Sequence, residues 1–297
     1  MANSLLTAAE ASRARRLERR TFDVICAGEA LWNVVPHGAA ASETPSLTFQ
    51  PGRGALNAAL ALAREGLRVG LATVLGDDTF GRKLRDEIAR SSVDVGGVEL
   101  SQPSSGLFLV EGGARQAVAF REEDQPVAIP EGWTSQVLLL SGMTPVVSHG
   151  AALCRAARAA RRAGTLVVVD VNARWQLWKG RDARSIRMIL REGDVLWCSA
   201  EDLVGLNMDL PTVRSAMRPN AVLVVSDGMG KAWATGPFGE VVRSTPAGAF
   251  RHGDGTAFAT AICAELARPG HGSAASDELW ARALDRGHAA SRARSGA

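Results

Sequence analysis

This sequence predicts an α/β fold with a mostly parallel sheet and helices on both of its faces, and three observations predict it. Short apolar runs bounded by Gly, Asp or Ser recur at residues 22–27, 69–75, 137–141, 166–171, 194–198 and 221–226, and read as buried strands. Between them lie alanine-rich stretches with helical spacing, notably 55–65, 78–90, 151–162 and 183–191. The chain has 297 residues, 46% of them apolar and 22% charged, which is enough to bury a large core. Strands that alternate with helices need crossover connections, and those connections cover a parallel sheet on both faces.

Taken in order, the first twenty residues, MANSLLTAAEASRARRLERR, carry five arginines and no apolar stretch long enough for a secretory signal. They are expected to form a flexible basic tail over 1–20, ahead of one domain at 21–297. An amphipathic targeting segment is the other reading, disfavoured by Glu10 and Glu18. Residues 105–122, SGLFLVEGGARQAVAFRE, break the strand–helix rhythm and read as two strands joined by a glycine turn. A hairpin inside such a fold is a candidate lid, with lid segments near 32–50 and 104–124. After Pro269-Gly270 the chain returns to helix through about Ser291.

Composition excludes several classes. No apolar run approaches 18 residues, so no transmembrane helix is expected. A net charge of +3 spread along the chain is too small for a nucleic-acid or membrane-surface binder, which leaves small molecules as the expected partners. Cys26, Cys154, Cys198 and Cys263 stand far apart in mostly apolar stretches without metal-ligand spacing, and read as reduced core thiols of a cytoplasmic protein. Lysine occurs only at 83, 179 and 231, so an anion clamp here would be built from arginine and backbone amides.

Two phosphate-loop patterns fail. SDGMGK at 226–231 lacks the spacing and the Ser/Thr of a P-loop, and no G-x-G-x-x-G follows a first strand. RHGDGTAFATAICAEL at 251–266 is more informative, because a glycine turn carrying Asp254 enters an amphipathic helix there. Free N–H groups at the positive end of a helix make an anion site, although an ordinary Asp N-cap explains this segment equally well.

The remaining motifs decide between these readings. GEALWNVVP at 28–36, PGRGALN at 51–57, LGDDTFG at 75–81, DVNARWQLW at 170–178, VSDGMGK at 225–231 and HGDGTAFA at 252–259 occur in the order and spacing of the ribokinase (PfkB) family of carbohydrate kinases. From Phe22 to the C-terminus the chain resembles that family, with its 170–178 segment similar to the fructokinase and 2-keto-3-deoxygluconate kinase branches. The resemblance implies a three-layer sandwich with a small β lid and ATP-dependent phosphorylation of a hydroxyl on a small sugar or sugar acid, with Mg²⁺ accompanying ATP. It assigns the general base to Asp254 and the anion hole to the amides of Gly253 and Asp254; Arg251, where the family carries glycine, reads as a phosphate clamp because a cation at a helix N-terminus calls for an anion, or else as a block to the γ-phosphate. Substrate contacts fall to Asn33, Gly52, Arg53, Asn57, Arg121 and Arg174, and nucleotide contacts to Ser226, Gly228, Gly230 and His288. An exposed surface histidine is the other reading of His288. An exposed lid edge fits a homodimer formed through the lid.

The chain also departs from the family pattern. Arg251 replaces the first glycine of the usual G-A-G-D, Gly248 replaces an acidic residue, and Ser199-Ala200-Glu201-Asp202 replaces the N-x-x-E segment linked to magnesium. Arg53 replaces a glycine that lies against the sugar, and Lys231 the second nucleotide-side glycine. These changes imply either a retuned substrate site or a kinase-like protein that binds sugar or nucleotide in a regulatory role. Three arginines at the sugar site favour an anionic substrate, unless Arg53 and Arg121 point outward or pair with Glu29, Glu122 or Asp124.

Overall fold

The computed structural model describes residues 19–37, 46–101, 105–111, 116–120, 126–142, 144–173, 184–245, 255–268 and 276–295. The chain begins with β1 (Arg20–Gly28), β2 (Leu31–His37), β3 (Ser46–Gly52), α1 (Gly54–Arg64), β4 (Val69–Gly76), α2 (Thr79–Ala89) and β5 (Asp94–Ser101). There follow β6 (Leu107–Glu111), β7 (Gln116–Phe120), β8 (Trp133–Ser141), α3 (Thr144–Arg162), β9 (Leu166–Asp170), α4 (Arg184–Leu190) and β10 (Val195–Ser199). It ends with α5 (Ala200–Leu206), α6 (Leu210–Ala216), β11 (Val222–Ser226), β12 (Lys231–Gly236), β13 (Gly239–Ser244), α7 (Gly255–Leu266) and α8 (Asp277–Ser295).

Among the described residues, nine strands form a central sheet in the order β13-β12-β11-β10-β9-β8-β1-β4-β5, and four form a second sheet in the order β3-β2-β6-β7. From β11 to β5 every neighbour is parallel, and the β12–β13 hairpin closes the far edge antiparallel. The second, lid-like sheet takes its strands from residues 31–37, 46–52, 107–111 and 116–120.

Alternation along the strands splits the core in two, because successive side chains point to opposite faces. Val24, Cys26, Leu139, Val168, Trp197 and Val224 face a layer that contains Leu56 of α1, Phe258 of α7 and Trp280 of α8. Ile25, Ala27, Leu138, Leu140, Leu196 and Val225 face Leu153 of α3, Ile189 of α4 and Val213 of α6. Both faces are therefore covered, as near-continuous apolar strands require. All four cysteines are buried and free, and burial pushes the thiols of Cys26, Cys198 and Cys263 upward.

Between β1 and β2 the chain passes at Glu29-Ala30 from the central sheet to the second one, but other local readings need correction. Arg20, expected in the tail, starts β1 and pairs with Asp94 at 2.6 Å; residues 1–18 lie outside the described residues. The sequence reading missed β5, the β12–β13 hairpin, α5 and α6. The hairpin strands are half exposed and short of apolar runs, and each helix has only seven residues, too few for a periodic signal. Among the described residues no helix is long and apolar enough to cross a membrane.

Candidate active site at the carboxyl edge of the sheet

Parallel strands present their carboxyl ends together, and in open α/β sheets ligands bind outside that edge. Register sets Gly28 beside Ser141, Ser141 beside Asp170, and Ser199 beside Ser226. The buried Ser141 hydroxyl donates to Asp170 Oδ2 at 2.6 Å, which fixes a carboxylate just below the edge. Above it begins α1, whose Gly54 fits so closely that a Cβ would overlap the Ser141 hydroxyl and crowd the Asn172 carboxamide.

Arg53 connects the lid strand β3 to α1 with φ 87° and ψ 164°. This region of backbone space is used almost only by glycine, and a side chain there costs about 1–3 kcal/mol. Two contacts hold it. Arg53 Nε donates to Glu29 Oε2 at 2.9 Å, with the two side chains 9% and 1% exposed, and the guanidinium carbon lies 4.1 Å from the ring centroid of Phe108 on β6. Glu29 sits where β1 hands the chain to the lid, so this single side chain touches the body at one end and the lid at the other. Arg53 is therefore not one of three unmatched charges at the sugar site; the Glu29 pairing holds.

Asn33 on β2 stands opposite Gln50 of β3 and Phe108 of β6. Its carboxamide fills the space over Gly52, where a Cβ would run into it. Asn57 is half-buried one turn into α1, and its N–H donates to the Arg53 carbonyl at 2.8 Å. Thus the structure brings Asn33 and Gly52 together within the second sheet, with Arg53 at its junction with α1 and Asn57 on that helix. Arg121 and Arg174 lie outside the described residues, as do Arg251, Gly253 and Asp254.

Ser226 is buried at the end of β11. The turn after it is tied by the Asp227 carboxylate, which accepts from the Met229 N–H at 2.7 Å and the Lys231 N–H at 3.0 Å, with Gly228 and Gly230 at φ 72° and 123°. His288 is 2% exposed, which rules out the surface reading, and it meets Phe258 edge to face at 5.1 Å. Burial holds its imidazole below the usual histidine range.

Two carboxylates that the sequence did not single out as site residues organise this edge. Asp78 caps α2 by accepting from the Gly81 N–H at 2.8 Å, and also accepts from the Ser105 N–H at 2.6 Å and hydroxyl at 2.8 Å, which ties the approach to β6 to the body. Burial pushes this carboxyl up, but the donors outweigh it and hold it below the usual range. The signal was present in the sequence, as an Asp directly before an amphipathic helix. Asp202 forms a capping box with Ser199 and accepts from the Ala173 N–H at 2.5 Å. Its second oxygen takes the Ser199 N–H and hydroxyl, each at 2.8 Å. Among the described residues no group of three His, Cys, Asp or Glu is placed to hold a metal. With Asp202 occupied by the chain's own donors, the described residues do not form a Mg²⁺ ligand set.

A doubly covered parallel sheet with a four-stranded lid over its carboxyl edge is the architecture of the ribokinase-like kinases. Residues 22–228 match the family of pfkB family carbohydrate kinases, and the chain belongs to that family. It is 28% identical over 230 residues to a probable fructokinase-7 of Arabidopsis thaliana, covering 69% of this chain and 66% of that one. To a 5-dehydro-2-deoxygluconokinase of Shouchella clausii it is 29% identical over 192 residues, 59% of each. The chain thus spans about two thirds or less of the curated relatives it matches. Among solved structures, an aminoimidazole riboside kinase from Salmonella enterica, complexed with aminoimidazole riboside and an ATP analog, shares the fold at TM-score 0.74 and 22% identity over 92% of both chains. A fructokinase from Xylella fastidiosa with bound ATP does so at TM-score 0.68 and 21% identity, covering 85% of this chain and 83% of that one.

Proposed function

We propose that the protein transfers the γ-phosphoryl group of ATP to a hydroxyl of a small sugar or sugar acid. The observation that carries this reading is the small sheet at the carboxyl edge, where the Asn33 carboxamide lies on Gly52 and Arg53 joins that sheet to the body, with α7 packed against β10. A hydroxyl compound held there by the amide of Asn33 and by Asn57 would lie between lid and sheet. In this proposal Asp254 takes the proton of the attacking hydroxyl as its oxygen bonds to phosphorus, and ADP leaves on the opposite side. The N–H groups of Gly253, Asp254 and the first turn of α7 offset the charge on the transferring oxygens, with Arg251 as a further clamp. Ser226, Gly228 and Gly230 would line the nucleotide side, whereas a buried His288 would shape it from behind. Mg²⁺ would arrive with the nucleotide, bound by its phosphates.

The Asp202 capping box favours a second reading, a kinase-like protein that binds sugar or nucleotide in a regulatory role, since the segment linked to magnesium in relatives serves here as a helix cap. Coupled ADP release across a panel of sugars and sugar acids separates the two. Under the kinase reading, Asp254→Asn lowers turnover by about 10²-fold or more with little change in sugar binding. Binding of sugar or ATP by the wild type without sugar-dependent ADP release would support the second reading instead.

A further inference from the structure

The turn LGDDTFG at 75–81, which joins β4 to α2, takes no part in the chemistry proposed above, yet it grips the second sheet. Contacts from three segments of that sheet converge on it. Trp32 Nε1 on β2 donates to the Phe80 carbonyl at 2.9 Å. Phe49 on β3 stacks on the Phe80 ring, with 5.6 Å between centroids and 28° between planes, and meets Trp32 edge to face at 6.2 Å. Ser105, just ahead of β6, gives its N–H and hydroxyl to the Asp78 carboxylate. Opposed residues of paired strands share a face and successive ones alternate, so Trp32, Val34 and Phe49 lie on one face of the sheet, and Asn33 and Phe108 on the other. The aromatic grip therefore comes from behind and leaves the Asn33 face to a ligand.

The turn itself fixes where Phe80 stands. Asp78 caps α2 through the Gly81 N–H, and a Cβ on Gly81 would lie 1.9 Å from the Gly76 carbonyl oxygen, so the first turn of the helix closes tightly on the end of β4. The hold on β2 uses a backbone carbonyl and is independent of the side chain at 80, whereas the hold on β3 is the Phe80 ring itself. That strand has most need of it. In the order β3-β2-β6-β7 it is an edge, hydrogen-bonded to β2 alone, and residues 46–50 are exposed. Strands with few buried contacts open at the lowest free energy in a fold. Yet β3 carries Gly52, on which the Asn33 carboxamide rests, so any parting of β3 from β2 unseats that amide.

We propose that Phe80 is a positioning residue for the sugar site: through its stack on Phe49 it holds the edge strand β3 against β2 and so keeps the Asn33 carboxamide seated on Gly52. The effect on sugar rests on the kinase reading above; the hold on β3 does not. Phe80 belongs to neither core, so Phe80→Ala should fold, and Phe80→Tyr keeps the ring. Hydrogen–deuterium exchange of the full chain without ligand compares both variants with wild type. Phe80→Ala should speed exchange of the amides that pair β2 with β3 by about three- to tenfold, the worth of one aromatic pair, and leave β9 and β11 unchanged. In coupled ADP release, with the sugar that the wild type uses fastest, Phe80→Ala should raise KM about threefold or more, since only the seated fraction binds, and hold kcat within about twofold. Phe80→Tyr should match wild type in both measurements. Unchanged exchange at β2 and β3, faster exchange spread evenly over both sheets, or a fall in kcat at unchanged KM overturns the proposal. A wild type that releases no ADP with any sugar rejects the kinase reading alone, and the exchange comparison then supports or overturns the hold on β3 by itself.

Discussion

Arg53→Gly tests whether the seat under the lid is held as described, because it removes one unfavourable feature and two favourable ones at once. Glycine tolerates φ 87° freely, so the change relieves about 1–3 kcal/mol of backbone strain. Against this, it takes the partner from a carboxylate that is 1% exposed, and breaking a buried ion pair from one side costs about 3–5 kcal/mol. It also removes a shielded stack on Phe108, about 1–2 kcal/mol. The expected balance is a net loss of about 3 kcal/mol, read from urea unfolding with the slope unchanged.

The double variant Glu29→Gln/Arg53→Gly separates these contributions. With neither charge left to desolvate and the strain gone, it should fall within about 1 kcal/mol of wild type, so the two sites couple strongly. Stability of Arg53→Gly equal to or above wild type, with additive effects in the double variant, would refute the pairing and the argument built on it.

Other outcomes follow from single contacts. Gly52→Ala should displace the Asn33 carboxamide and raise KM for the sugar with little loss of stability, and Asn33→Ala in the same chain should remove the clash without restoring KM; steady-state kinetics on both proteins check this. His288 is held below its usual range by burial, so the unfolded chain takes up a proton first and stability should fall as pH drops below about 6.5. The slope approaches about 1.4 kcal/mol per pH unit at most, and urea midpoints from pH 8 to 5.5 should lose this component in His288→Gln. Leu47, Phe49 and Phe80 are 52%, 39% and 42% exposed, and the two phenylalanine rings stack at 5.6 Å on the lid side. Should the lid mediate a homodimer, Phe49→Glu yields a monomer by light scattering while α-helical content stays unchanged.

The parallel sheet was legible because its strands are buried on both faces and leave continuous apolar runs, such as LVVVD in β9 and VLVVS in β11. Elements with one exposed face left weaker traces, as in GEVVRS of β13, where polar and apolar residues mix. The burial of Glu29 was hidden for a related reason. Glu29 follows the apolar run of β1 as a surface residue would, yet it is buried, and its partner Arg53 lies 24 residues further on. Nothing in local periodicity marks such a pair.

Pairing of Arg53 with Glu29 also changes what the arginines at the sugar site can be asked to do. An arginine without a partner in a dry cleft favours a substrate that brings an anion, since that ligand removes both repulsion and desolvation cost. Arg53 already has a carboxylate at 2.9 Å and a ring beneath it, so a substrate carboxylate could engage the Nε edge only by displacing Glu29. The displaced glutamate, 1% exposed, would then lose its charge partner in the protein interior, a cost of several kcal/mol that a single new ion pair does not recover. Arg53 thus already has its charge matched within the protein, where it pairs with Glu29 and packs on Phe108 of β6. If the substrate is a sugar acid, we propose that Arg121 or Arg174 reads its charge, and Arg174→Ala should then lower kcat/KM more for the acid than for its neutral analogue.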